Sequence, residues 1–228
     1  MNQISITKLT FTYQSEQKNI TAQQFRGAFI DYIRTNFSKK LQEELPMHLA
    51  FNKDKNGNQL NRYSLMQYKI YSNKLEIIAI ADSRKISDQW LSMVLKNNDF
   101  TINGKPIALA DPKNDTHTWF PQLEKTKLYK IQSWKPFDTK TIGDESKFDK
   151  IIWGNIHRML SDLEVKFSEK VKIDILETKK TAKSTKAFGV NWINYDIIIS
   201  TNINLPQHIG IGHIVSLGSG KITKVKLM

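Results

Sequence analysis

Cysteine is absent from this 228-residue sequence, which excludes disulfides and thiolate metal sites and suits a reducing compartment. Long apolar runs are absent as well: no segment reaches the roughly 18 uncharged residues of a membrane-spanning helix. The polar, alternating start Met1-Asn-Gln-Ile-Ser-Ile-Thr7 has none of the features of a signal peptide. The expectation is a cytoplasmic protein with no membrane partner. Glycine is sparse but concentrated: four of ten fall within 11 residues, at Gly210, Gly212, Gly218 and Gly220. Acidic side chains are in deficit, 22 against 34 Lys and Arg, for a net charge of +12. Such a surplus favours an anionic partner, nucleic acid above all. It is uneven, with +6 in residues 1–113, none in 114–165 and +6 in 166–228.

What is present reads as strands and helices in a repeated order. Ile4–Tyr13 alternates and is rich in β-branched and aromatic residues, the pattern of a strand. Thr21-Ala-Gln-Gln24 is a capping box. It opens a helix with Phe25, Ala28, Phe29, Tyr32 and Ile33 on its apolar face. A polar loop over residues 52–61 carries an Asn56–Gly57 turn. Tyr63–Tyr71 and Leu75–Ala81 read as a hairpin, and Phe100–Leu109 as a further strand. Between them, Ser87 caps a short helix with Trp90, Leu91, Val94 and Leu95 inward. This β-α-β-β-α-β order is the ferredoxin-like unit.

Asp111–Thr116 has linker composition, and a similar order follows it. Lys127–Trp134 reads as a strand, and Phe148, Ile151, Ile152, Asn155, Ile156, Met159, Leu160 and Leu163 mark one face of a helix. Val171–Leu176 and Trp192–Ser200 are strands, and Lys221–Leu227 reads as a last strand with lysines on one face. The expected fold is α+β, with two tandem ferredoxin-like domains at residues 1–113 and 114–228. The second lacks a regular second helix and carries a C-terminal glycine-rich loop in its place.

That loop, Leu205–Lys221, neither opens a helix with GxxxxGK[ST] nor sits in a βαβ unit, so it is no nucleotide-binding fingerprint. Backbone amides in such a run can gather around a phosphate instead. Gly210, Gly212, Gly218, Gly220 and His213 are therefore candidate polyanion contacts. Lys179, Lys180, Lys183 and Lys186, spaced by threonine and serine, are expected on a hairpin tip that tracks the phosphates of an RNA stem. Tyr63, Tyr68 and Trp134 are candidates to stack on unpaired bases. His117 and His157 read as surface residues. The histidines lack metal-ligand spacing and the carboxylates are scattered, so no metal and no cofactor are expected.

The pattern Leu205-Pro-x-x-Ile-Gly-Ile-Gly-x-x-x-Ser-x-Gly-x-Gly220 resembles the glycine-rich signature of the repeat-associated RNA-binding proteins of CRISPR systems. It is most similar to that of the Cas-six endoribonucleases. His213 stands where that signature has lysine, and Ser219 where it has phenylalanine. Tyr63, Gln67, Tyr68 and Lys69 resemble a second pattern of the family, with Ser64 in place of a proline. Phe25-Arg-Gly-Ala28 resembles its Arg-Gly motif in the first helix. A family histidine pair maps onto His48 and Ala50, of which only the first is histidine here.

The resemblance implies a metal-independent endoribonuclease of antiviral defence. It would bind CRISPR repeat RNA and cut the precursor transcript into guide RNAs by attack of a 2′-hydroxyl on the adjacent phosphate. His48 would be the general base, and Lys69 would stabilise charge on the pentavalent phosphate. The absent second histidine leaves an alternative, a non-cleaving repeat- or guide-RNA-binding subunit of a CRISPR effector complex. The implied partners are the repeat stem-loop, effector-complex subunits and, as in several relatives, a second copy of the chain. A basic ferredoxin-like protein with another RNA or protein partner is the third reading.

Overall fold

The computed structural model describes residues 3–14, 20–51, 63–71, 73–136, 144–187 and 190–225. The expected polar loop with its Asn56–Gly57 turn, Ser72 of the hairpin turn, and Lys226–Leu227 lie outside the described residues. The chain divides into two compact units, Ser5–Thr118 and, with its first four residues, Trp119–Met228.

The first unit contains β1 (Ile4–Gln14), α1 (Ala22–Asn36), α2 (Lys39–Glu44), α3 (His48–Phe51), β2 (Met66–Tyr71), β3 (Lys74–Ile80) and α4 (Arg84–Asn97). Two short strands, β4 (Thr101–Ile102) and β5 (Lys105–Pro106), precede the long β6 (Ala108–Trp119). The sheet order β2-β3-β1-β6, with β3 antiparallel to both neighbours, is that of a ferredoxin-like unit. α1 opens on the expected capping box: Thr21 Oγ1 accepts from the Gln24 N–H, and Gln24 Oε1 accepts from the Thr21 N–H at 2.8 Å. Phe25 meets Tyr68, Trp90 and Phe100 edge to face at 5.7, 6.4 and 6.2 Å, forming the centre of the core. Each buried ring contributes roughly 1.5–3 kcal/mol through its removal from water.

Four expectations for this unit are corrected. α4 starts at Arg84, so Ser87 lies within it, buried, with its hydroxyl donating to the Arg84 carbonyl at 2.9 Å rather than capping the helix. Leu95 is exposed. Phe100–Leu109 is not one strand, because Asn103 and Gly104 take left-handed backbone and turn β4 back onto β5. β6 then continues through Asp111–Thr116, the stretch read as linker, with Asp111 in left-handed backbone. Its polar side chains are used across the ladder. Thr12 Oγ1 donates to the Ala110 carbonyl at 3.2 Å and the Asp111 carboxylate at 2.9 Å, and the Thr7 and Thr116 hydroxyls meet at 3.0 Å. The 113/114 boundary expected from composition thus falls inside a strand.

The second unit contains β7 (Leu123–Trp134), α5 (Phe148–Asp162), β8 (Ile173–Ala187), β9 (Val190–Ile203) and β10 (Lys221–Lys224). Its sheet order, β10-β7-β9-β8, repeats the ferredoxin-like arrangement. The segment between β9 and β10 replaces the second helix, as expected, and holds a single 3₁₀ turn at Val215–Leu217. Trp134, Phe148 and Tyr195 form the aromatic core, with ring centroids 4.8–6.4 Å apart. The lysines of β10 do not share a face: Lys221 and Lys224 are three apart in a strand and point to opposite sides. The run Lys179–Lys186 forms the outer part of one arm of the β8–β9 hairpin, whose last pair before the turn is Ala187 with Val190. It is paired within β8, with Lys179 opposite Asp196, Lys180 opposite Tyr195 and Lys186 opposite Asn191.

Candidate nucleic-acid interface and catalytic residue

His48 begins α3, a single turn fixed by its neighbours. Met47 and Ala50, three residues apart, face inward and are buried, while Leu49 and Phe51 pack against the same core. His48 is left exposed. Ala50, at the position of the family's second histidine, is part of the core. The Arg34 guanidinium of α1 lies 5.0 Å from the centroid of the Phe51 ring. Phe51 ends the turn that His48 begins. Arg34 was missed in the sequence; its place in the last turn of an amphipathic helix was the available signal.

Lys69 lies on β2 and is only 3% exposed, opposite Glu76 of β3, with Nζ 3.9 Å from Oε1. The motif around it is packed rather than presented. Gln67 Nε2 donates to the Tyr63 hydroxyl at 2.8 Å and to the Ser64 carbonyl at 3.3 Å. Tyr68 packs edge-on against Phe25 and Phe29. Tyr63, Tyr68 and Trp134 are all buried, so the expectation that they stack on bases is corrected. Among the described residues the exposed large aromatics are Tyr71, Phe120 and Trp153.

In the second unit the glycine-rich loop folds onto itself and onto the end of β7. Ile211 N–H donates to the Gly220 carbonyl at 3.0 Å, and Ile222 N–H to that of Ile209 at 2.8 Å. Gly210 bridges to Lys221. The N–H groups of His213, Gly218 and Gly220 donate to the carbonyls of Lys135, Val215 and Ser133 at 3.2, 2.9 and 3.3 Å. Those three amides are therefore satisfied within the protein and do not form the phosphate cradle expected of them. Two glycines are required by space. A β-carbon would lie 2.6 Å from the Trp134 ring at Gly212 and 1.7 Å from the Ile211 carbonyl oxygen at Gly220, both at positive φ.

The His213 ring tilts onto Trp192, with centroids 4.5 Å apart at 44°. Partial burial, assisted by the charge of Lys135, holds its pKa below the ordinary histidine value. Lys135 itself was overlooked in the sequence. It is 3% exposed, and its Nζ donates to Ser219 Oγ at 2.9 Å and to the Ser133 carbonyl at 3.5 Å. Burial lowers its pKa to about 8. The signal for it was Ser219, the departure from the family's phenylalanine.

Lys179 and Lys180 are exposed along β8, an edge strand. The side chains of Lys183 and Lys186 lie outside the described residues. Opposite Lys179, the Asp196 carboxylate accepts from the Ser133 N–H at 3.0 Å and pairs with Lys130 at 3.0 Å. Burial pushes the Asp196 pKa up, but these partners outweigh it and the net shift is downward. His117 is exposed on β6. His157 is more than a surface residue, since it stacks on Trp153 with centroids 3.7 Å apart at 30°. Among the described residues no three His, Asp or Glu side chains gather as a metal-ligand set.

This fold defines a class first. It matches a solved structure described as a RAMP protein binding different RNA substrates, with TM-score 0.57, 11% identity, and 97% of this chain and 100% of that one covered. The family follows from the sequence. The Cas6b N-terminal domain model matches residues 2–113 and the Cas6b C-terminal domain model residues 123–225, so the chain belongs to the Cas6b family. A crystal structure of Cas6b matches with TM-score 0.73 at 17% identity, covering 98% of this chain and 100% of that one. One of a CRISPR RNA processing endoribonuclease Cas6b matches with TM-score 0.61 at the same identity and coverage. An uncharacterised protein of Methanocaldococcus jannaschii is 32% identical over 84 residues, 37% of this chain; the match spans 56% of that relative's length.

Proposed function

We propose that this chain is an endoribonuclease that binds the stem-loop of CRISPR repeat RNA and cuts the precursor transcript into guide RNAs, with no metal ion in the reaction. The observation that carries this reading is His48, an exposed imidazole on a turn pinned by buried Met47 and Ala50, in a chain whose two halves both match Cas6b. His48 takes the proton of the 2′-hydroxyl, whose oxygen attacks the adjacent phosphorus. The bond from phosphorus to the 5′-oxygen breaks, and that oxygen takes a proton from water. The products are a 2′,3′-cyclic phosphate and a 5′-hydroxyl. Lys69, buried beside Glu76, acts on the phosphate through its field rather than by contact, and Arg34 is the cation better placed to touch it.

RNA is gripped along β8 by Lys179 and Lys180, with Lys183 and Lys186 further along the strand, and beside the glycine-rich loop by His213. Gly210, Gly212, Gly218 and Gly220 give that loop its shape. The burial of Ala50 favours a second reading, an RNA-binding subunit without cleavage, because a single histidine must otherwise serve alone. Labelled repeat RNA incubated in EDTA separates the two. Wild type is expected to yield one product, lost in His48→Ala and with a 2′-deoxy substrate while binding persists. Tight binding by wild type without cleavage would leave the second reading.

A further inference from the structure

We infer that Lys135 is a positioning residue for RNA binding, clasping the two arms of the glycine-rich loop in partnership with Ser219. The inference rests on the RNA-binding reading above. The backbone carbonyl of Lys135 accepts the His213 N–H at 3.2 Å, which fixes the first arm. Its ammonium donates at 2.9 Å to the hydroxyl of Ser219 on the second arm. That hydroxyl donates in turn to the Ser133 carbonyl at 2.9 Å, which also receives the Gly220 N–H at 3.3 Å. Three consecutive residues at the end of β7 thus hold both sides of the loop, and Trp134 between them fills the space that Gly212 leaves open.

Withdrawing an ammonium from water is costly, and an apolar side chain would pack there more cheaply. Among the described residues the Lys135 Nζ meets only the Ser133 carbonyl and the Ser219 hydroxyl. Ser219 stands where the resembled signature has phenylalanine, and a phenylalanine cannot accept the ammonium's hydrogen bond. Lys135 and Ser219 are therefore one device made of two residues. The charge lies under the loop, so it adds to the attraction for phosphate on the outer face without touching RNA. The groups around it are His213 from the loop and Asp196 from β9, the latter held by the Ser133 N–H and Lys130. Between pH 7 and 9.5 His213 stays neutral and Asp196 ionised, so Lys135 is the group of the three that changes charge.

The test measures affinity for a 2′-deoxy repeat RNA from pH 7 to 9.5. It compares wild type with Lys135→Met, Lys135→Arg, Ser219→Ala, Ser219→Phe and the Lys135→Met/Ser219→Phe double variant, each first checked for cooperative melting. Lys135→Met and Ser219→Phe should each weaken binding about tenfold, the size of one hydrogen bond to a charged group. The double variant should lose no more than the worse single. Wild-type affinity should fall several-fold more steeply with pH than that of Lys135→Arg, which a merely structural role would not produce. Without RNA, amide exchange at His213 and Gly220 should quicken in Lys135→Met and Ser219→Ala. Unchanged exchange, additive losses, or equal pH profiles for wild type and Lys135→Arg would overturn the inference. If wild type bound no repeat RNA, the RNA reading would fall, and the exchange rates would still decide whether Lys135 clasps the loop.

Discussion

Gly212 lies against the indole of Trp134, so close that a β-carbon would come within 2.6 Å of Cδ1 and Nε1. The clash at Gly220 is with backbone, which has less room to yield than a ring. Gly212→Ala should therefore lower stability by roughly 1–3 kcal/mol through overpacking and left-handed strain. Gly220→Ala should cost more, and Gly218→Ala, which carries the strained φ of 82° at the end of a 3₁₀ turn, about 1 kcal/mol. Denaturant midpoints rank the three. A Gly220→Ala protein as stable as wild type would show that the loop is not packed as described.

Restoring the family's second histidine should fail. Ala50 faces the core beside Met47, so Ala50→His forces a larger, polar ring into a filled space. The expected cost is roughly 1–3 kcal/mol with no gain in cleavage. A variant with wild-type melting and faster cleavage would mean that this turn can rotate to present both positions.

Lys69 and Glu76 are coupled across β2 and β3 at 3.9 Å, with Lys69 almost wholly out of water. Lys69→Met alone leaves the Glu76 carboxylate without that partner and should destabilise by about 1–3 kcal/mol. Lys69→Met with Glu76→Leu should recover most of that loss. If the double variant is stable yet slow by a hundredfold or more in single-turnover cleavage, Lys69 acts on the phosphate. If it cleaves normally, the pair serves the fold alone.

Lys135 makes a signed prediction for stability. Its pKa, held down to about 8, lies below the 10.5 of an ordinary lysine. Between those values the unfolded chain holds the extra proton, so stability rises with pH through the window and is lower beneath it. Relative to Lys135→Met, wild type should gain roughly 2–3 kcal/mol between pH 7.5 and 10 in denaturant titrations. A flat difference would show that the ammonium is not desolvated.

Much of the fold was legible because hydrophobic periodicity is a local signal. The capping box at Thr21, the apolar stripe of α1 and the missing second helix of the second unit could all be read from neighbours in sequence. What escaped depends on partners far along the chain. Asp111–Thr116 has the composition of a linker, yet it lies in a strand because Thr7 and Thr12 supply bonds across the ladder. Tyr63 and Tyr68 marked the right motif with the wrong use: their spacing does not reveal that they are buried. His48 and the glycine run were visible as residue types. Lys135 was not: its one sign was the distant Ser219, and a single lysine ahead of a proline does not reveal that a serine 84 positions later accepts its hydrogen bond.

β8 is 15 residues long and lies at the open edge of its sheet, with an irregularity between Lys180 and Ser184. An edge of that length is a template on which another chain can add a strand. Lysines and a bulge are the means by which such edges stay single, because a second strand would have to bury charge and follow a broken register. The lysines proposed to hold RNA would thus also guard the protein against self-association. A variant in which Lys179 and Lys180 are replaced by apolar residues would lose that protection and aggregate at concentrations where the native chain stays dispersed.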